Sequence, residues 1–271
     1  MKRITLKKSN SVLKLFHVEH RAEEYEMNSI EERLNEQYRA MNARAEALTD
    51  RQLEQLKIYF ENLTEWNKVM NLTTITEEED VYVKHFLDSL SLVCCESIPL
   101  DQIKTVIDVG TGAGFPGMVL AIAHPEWKVT LLDSLNKRIT FLEDTAAKLG
   151  LSNVTAIHAR AEEGARRKDL REGFDLAVAR AVANLATLSE YCIPFVRIGG
   201  YFASYKSGTA EEEIMEAENA VKKLGGKIEE KKFFTLGSTE FERCIAVIRK
   251  EKSTPKQYPR KAGTPGKDPL R

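Results

Sequence analysis

The sequence predicts an α/β fold: a doubly wound, mostly parallel seven-stranded sheet behind an N-terminal helical cap. Three observations carry that expectation. Apolar strand-like runs alternate with helix-like segments between residues 106 and 204. Two further strand-like runs follow close together near the C-terminus. The turn after the first run, "DVGTGAGFPG" from Asp108 to Gly117, holds four glycines in ten residues. Strands alternating with helices make right-handed crossovers, which gives a parallel sheet covered on both faces.

The elements follow in order. Residues 1–26 are polar, basic and then acidic, and read as a disordered extension. Residues 27–103 form the helical cap. Within it Thr49-x-x-Gln52 is a capping box that starts a helix. Leu53, Leu56, Phe60, Leu63 and Val69 give that helix an apolar stripe. A second helix is expected over 77–93. Residues 104–250 make the sheet domain, with strands at 106–109, 129–133, 154–158, 176–179 and 201–204. Helices are expected at 118–123, 136–149, 184–196 and 211–224. The last two strands, near 231–234 and 244–248, are close enough to pair antiparallel. Residues 251–271 form a basic tail with four of the eight prolines and cannot build a core, so they form a free tail or a surface-hugging arm.

Composition narrows the function. At 42% hydrophobic the 271 residues can build a substantial core. The net charge is −1, so any nucleic-acid surface has to be local. Cys94, Cys95, Cys192 and Cys244 form no C-x-x-C pair and have no histidines at zinc spacing. They read as reduced thiols of a cytoplasmic protein without a metal site. No apolar run approaches bilayer length, and the basic start lacks the apolar segment of a signal peptide.

The glycine loop selects the cofactor. A dinucleotide loop reads G-x-G-x-x-G. Gly110 and Gly112 fit it, but Phe115 stands where the third glycine belongs. The third glycine is Gly114, giving D-x-G-x-G-x-G, the pattern of S-adenosylmethionine (SAM) enzymes with a doubly wound sheet. SAM has no pyrophosphate. Its amino-acid end lies over the loop, where a Cβ would obstruct it, and Asp108 can meet the ammonium directly or through water. Asp133 ends the next strand, where an acid about 20 residues on binds ribose hydroxyls. That acid suits NAD equally; the glycine spacing separates the two. Phe115 could flank the cofactor or fill the core.

The acceptor is read from absences. Enzymes that methylate exocyclic amines carry an [Asp/Asn/Ser]-Pro-Pro-aromatic motif after the fourth strand, and here residues 179–185 read "ARAVANL". Cytosine-C5 enzymes need a Pro-Cys nucleophile, and the chain has none. Guanine N7 needs neither device. Its lone pair is free, and in-line positioning supplies most of the rate without a general base.

The stretches "EWNKVMNLTTI", "KHFLDSL", "DVGTGAGFPG", "DSLNKRITFLE", "HARAEE", "ARAVA" and "YPRKAGTP" resemble the RsmG (GidB) family of bacterial 16S rRNA guanine-N7 methyltransferases, over residues 65–265. The resemblance implies SAM as methyl donor and 16S rRNA of the small ribosomal subunit as partner. It implies cofactor contacts at Gly110, Phe115, Ala161, Glu162 and Arg180, beside Gly112, Gly114 and Asp133 of the loop reading. Ala161 and Glu162 fall at the carboxyl edge of the sheet, where ligands bind; an ordinary acidic helix start reads the same way. Arg180 emerges at that edge too, as a contact to cofactor carboxylate or rRNA phosphate, or as a surface ion pair.

His85, Asp88 and Ser89 share one helix face and are candidates for positioning the guanine; plain packing of that face is the alternative. Lys206, Lys256, Arg260 and Lys261 are candidate RNA contacts. Lys137 and Arg138 read as a solvated helix face, and Trp66 as core. A monomer is expected. Two rival functions remain: a SAM-dependent methyltransferase of a small molecule or protein, and a non-catalytic SAM- or nucleotide-binding regulatory module. Methyl transfer to ribosomal subunits separates the first; SAM binding without turnover would mark the second.

Overall fold

The structure, a computed structural model, describes residues 29–180 and 182–271. The extension expected over residues 1–26 lies outside the described residues. Helix α1 (Ile30–Met41) opens on a capping box in which Ser29 and Glu32 satisfy each other's backbone N–H. Helix α2 (Asp50–Asn67) opens on the expected box of Thr49 and Gln52. The helix expected over 77–93 has three windings: α3 (Glu78–Val81), a π-helical segment (Tyr82–Leu87) and α4 (Asp88–Leu90), then a 3₁₀ turn. Single π turns inside α-helices recur at functional sites; His85 sits in this one and Asp88 directly after it.

The sheet follows: β1 (Thr105–Val109), α5 (Gly117–Ala123), β2 (Lys128–Asp133), α6 (Asn136–Lys148), β3 (Val154–His158), α7 (Ala161–Gly164), β4 (Phe174–Arg180) and α8 (Leu185–Cys192). After these come β5 (Val196–Ser207), α9 (Glu211–Glu216), α10 (Glu218–Lys223), β6 (Gly226–Thr235), β7 (Glu242–Lys250) and α11 (Thr264–Lys267). The seven strands stand in the order β3-β2-β1-β4-β5-β7-β6. The first five pair parallel, and β7 runs antiparallel to both neighbours. The chain winds outward from β1 through β3, then returns to lay β4 on the other side of β1. The crevice at that switch point, outside the carboxyl ends of the strands, is where such sheets bind ligands.

Each strand feeds two cores. In β1, Val106 faces the core shared with α1, α2, α5 and α6, while Ile107 and Val109 face the one shared with α8 to α10. On α2 the inward stripe is Leu56, Tyr59 and Leu63. The sequence stripe had named Phe60, but Tyr59 is the fully buried ring, because its hydroxyl finds a carbonyl inside. Val69 lies beyond the helix end and is 79% exposed.

Strands β5 and β6 are longer than expected. Gly199 and Gly200 lie inside β5, where its register with β4 is irregular. The lysines and glutamates of β6 mask a strand because it is the outer edge, where charge blunts unwanted pairing. All four cysteines are buried and free. Among the described residues no helix is long and apolar enough to cross a membrane.

Candidate cofactor and acceptor site

The loop after β1 is pinned beneath β2. The N–H groups of Gly110 and Thr111 both donate to the Leu132 carbonyl, at 2.8 and 3.2 Å. Gly110, Gly112 and Gly114 all have positive φ, at 73°, 62° and 97°. The reasons for their glycines differ. A Cβ on Gly110 would meet Val182 at 3.0 Å, whereas one on Gly112 would stand in open space above the loop. A Cβ on Gly114 would strike the Tyr59 hydroxyl, which bonds to the Ala113 carbonyl. Gly114 therefore lets the helical cap close on the loop, and Gly112 leaves room over it.

Two carboxylates shape the loop. Asp108 is fully buried; its Oδ2 accepts the Thr111 hydroxyl at 2.6 Å and the Gly117 N–H at 2.8 Å. Its Oδ1 is buried without a partner among the described residues, and burial pushes the carboxyl up to about 6. Asp133 accepts the Gly112 N–H at 3.0 Å, the Leu135 N–H at 2.9 Å and Arg138 at 3.2 Å. Arg138, expected on a solvated face, is thus an ion-pair partner of this acid.

The cleft beyond the loop is lined by Gly110, Asp133, Ala161, Glu162, Val182 and Gly263, with Tyr191 beside them. Glu162 is buried and accepts the Gly263 N–H at 2.7 Å. These residues suit an aminoacyl sulfonium nucleoside such as SAM. The open space at Gly112 leaves room for an amino-acid end, Asp108 keeps one oxygen without a partner among the described residues, and Asp133 ends β2, a position at which such sheets bind ribose hydroxyls.

A second cavity opens on the other side of the β4 end, lined by Lys84, His85, Asp88, Arg180, Lys206 and Arg243. Its centre is Asp88, which accepts Arg180 at 2.7 Å and Arg243 at 3.0 Å. Arg180 also donates to the Lys84 carbonyl at 2.9 Å and lies 5.1 Å from the Phe115 ring. Phe115 is 6% exposed and stacks between Tyr59 and His85, so its side chain belongs to the core. Burial, then the neighbouring Arg180 charge, pushes the His85 imidazole down to about 3, so it is neutral. A guanidinium can only donate, so Nδ1, 3.1 Å from Arg180, accepts, and Nε2–H donates to the Thr73 hydroxyl at 2.9 Å. Ser89 turns inward and bonds to the His85 carbonyl.

The remaining candidates are scattered. Lys206 is held by the Ala183 carbonyl and Glu213, both at 2.7 Å. Arg260 is taken by the buried Glu190 of α8. Lys256 and Lys261 stand exposed on the C-terminal arm. Trp66 donates to Asp144 and packs edge-on to Phe141. Sequence reasoning passed over Lys84, Arg243, Tyr191 and Gly263. It also missed Phe241, 41% exposed, with the Lys84 ammonium 5.0 Å and the Arg243 guanidinium 5.8 Å from its ring. Lys84 adjoins His85 and could have been found from the helix face; Arg243 carries no local signal.

Comparison with known proteins gives this architecture relatives. The family profile for GidB, rRNA small subunit methyltransferase G, matches residues 52–241. A ribosomal RNA small subunit methyltransferase G of Lachnoclostridium phytofermentans is 55% identical over 223 residues, 82% of this chain and 91% of its own. Its namesake in Bacillus subtilis is 49% identical over 224 residues, 83% of this chain and 93% of its own. Among solved structures, the fibrillarin pre-rRNA processing protein of Methanococcus jannaschii is similar at 16% identity and a TM-score of 0.47, over 59% of this chain and 73% of its own.

Proposed function

The chain belongs to the GidB family, rRNA small subunit methyltransferase G, and on that footing we propose that it carries the methyl group of SAM to N7 of one guanine in 16S rRNA. The observation that carries the choice of N7 is the state of the acceptor cavity. The carboxylate among its described lining residues, Asp88, is held by two guanidinium groups. The imidazole among them, His85, has both nitrogens committed. Among the described residues no side chain there is poised to remove a proton, and N7 of guanine has none to lose.

When bound, SAM supplies an electrophilic methyl group on its sulfonium. The chain's own residues hold and orient. Gly110 and Gly112 let the loop pass close beneath the donor, and Asp133 with Glu162 marks its nucleoside side. Arg180 and Arg243, fixed by Asp88, line the acceptor cavity, where guanine O6 is a natural partner for a guanidinium N–H. Phe241 offers an aromatic face to a neighbouring base, and Lys84 beside it suits phosphate. Alignment of nucleophile and methyl supplies the rate.

The test uses small ribosomal subunits from cells lacking the gene, incubated with this protein and SAM. Chemical cleavage at N7-methylguanine is expected at one position of 16S rRNA. Methyl incorporation without such cleavage would place the acceptor atom elsewhere, and no incorporation would overturn the reading.

A further inference from the structure

We propose that the C-terminal arm, residues 251–271, is part of the donor cleft: through Gly263 it forms the wall on the nucleoside side, so that cofactor affinity depends on the arm. The inference rests on the reading of that cleft as the donor site.

Gly263 lines the same cleft as Gly110, Asp133 and Glu162, from a point 101 residues beyond Glu162. Its N–H fixes the buried Glu162 carboxylate at 2.7 Å. Its φ is +82°, and a Cβ added to it would meet nothing within 4 Å. The arm therefore turns at Gly263 in a conformation that favours glycine, with open space beside it.

The turn is clamped on both sides. Glu190 of α8 is fully buried, and both its oxygens are taken by Arg260: the backbone N–H donates at 2.6 Å, Nε at 3.0 and 3.1 Å, and Nη2 at 2.8 Å. A carboxylate in that position is tolerable only while its partner stays. Beyond the turn, the Thr187 hydroxyl donates to the Pro265 carbonyl at 3.1 Å. Before it, Arg171 holds the carbonyls of Thr254 and Tyr258, and the buried Lys250 holds the Thr254 hydroxyl. Much polar hydrogen bonding thus goes into seating a short segment whose middle residue borders the cleft. The two arginines, Arg171 and Arg260, and Lys250 serve this seating. Donor binding is the function such a seat would serve, since the seated residue also sets the position of Glu162.

The primary test is amide hydrogen exchange on the full chain with and without SAM. Binding is expected to slow exchange across residues 258–265 by roughly tenfold or more. In calorimetry, Arg260→Ala and Gly263→Val are each expected to weaken SAM binding by about tenfold or more, the first by releasing the arm and the second by filling the cleft. A full chain that binds SAM with unchanged exchange in the arm, or variants that bind SAM as the parent does, would overturn the proposal and leave the donor site standing. If Arg260→Ala fails to fold, exchange in the intact chain still decides. A full chain that takes up no SAM removes the donor reading itself.

Discussion

The two clefts at the carboxyl edge of the sheet differ in their charged groups. The donor side is mostly backbone and apolar side chains with two carboxylates, Asp133 and Glu162, and one cation among the described residues, Arg160. The acceptor side is lined by four cations, Arg180 and Arg243 sharing Asp88, Lys206 paired with Glu213 and Lys84 with Asp80. The difference follows from the ligands proposed for each. A cationic donor with an ammonium and ribose hydroxyls calls for acids and a bare loop, whereas a polyanionic acceptor calls for guanidinium and ammonium groups. If that division is right, substitutions on one side should leave the other side's ligand alone.

The largest effect is expected at the joint of the acceptor side. Asp88→Ala leaves Arg180, 13% exposed at its side chain, without its carboxylate. Loss of one partner of such a pair should cost about 3 kcal/mol, read as a lower denaturation midpoint. Turnover on subunits should fall with it, while SAM affinity in the folded fraction holds. On the donor side, Gly112→Val forces a branched side chain into φ of 62°. SAM affinity should drop by roughly 100-fold with subunit binding unchanged. Equal losses of both ligands would break the division of labour. Arg243→Ala should be milder, roughly tenfold in kcat/KM on subunits and none in SAM affinity.

The smallest effect is one of pH. Asp108 is raised from 3.8 to about 6 by burial, so the folded chain holds this proton more tightly than the unfolded chain. Ionising the carboxyl therefore costs stability as pH rises from about 4 to about 6. Donor binding should run the opposite way, weakening as pH falls through about 6 and the acid loses its charge. Calorimetry from pH 5 to 8 checks it, and Asp108→Asn should flatten the profile.

These two sides were unequally legible in the sequence. The glycine loop is legible in the sequence because its glycines and the acid one strand later have fixed local spacing, and the structure gives Gly110, Gly112 and Gly114 positive φ with Asp133 bonded to the Gly112 N–H. Even there, Gly114 had a different reason from Gly112, since its neighbour is Tyr59 on a distant helix. On the acceptor side the sequence offers His85 and Asp88 from one helix face, and Arg180 and Lys206 from the ends of strands; Lys84 and Arg243 go unread. Arg243 reaches Asp88 across 155 residues, and Arg260 reaches Glu190 across 70. Pairs closed by the fold leave no period to read. The composition of the tail suggested a free RNA arm as readily as a seated one, because proline and charge describe both.

The central claim is that methyl transfer here needs positioning and no base. The direct measurement is the single-turnover rate on saturated subunits with saturating SAM, from pH 6.5 to 9. The account predicts a level profile, since the His85 imidazole is already neutral across that range and Asp88 is taken by two guanidinium groups. A rate that climbs about tenfold per pH unit before reaching a plateau would reveal a proton removed on the way, and would contradict it.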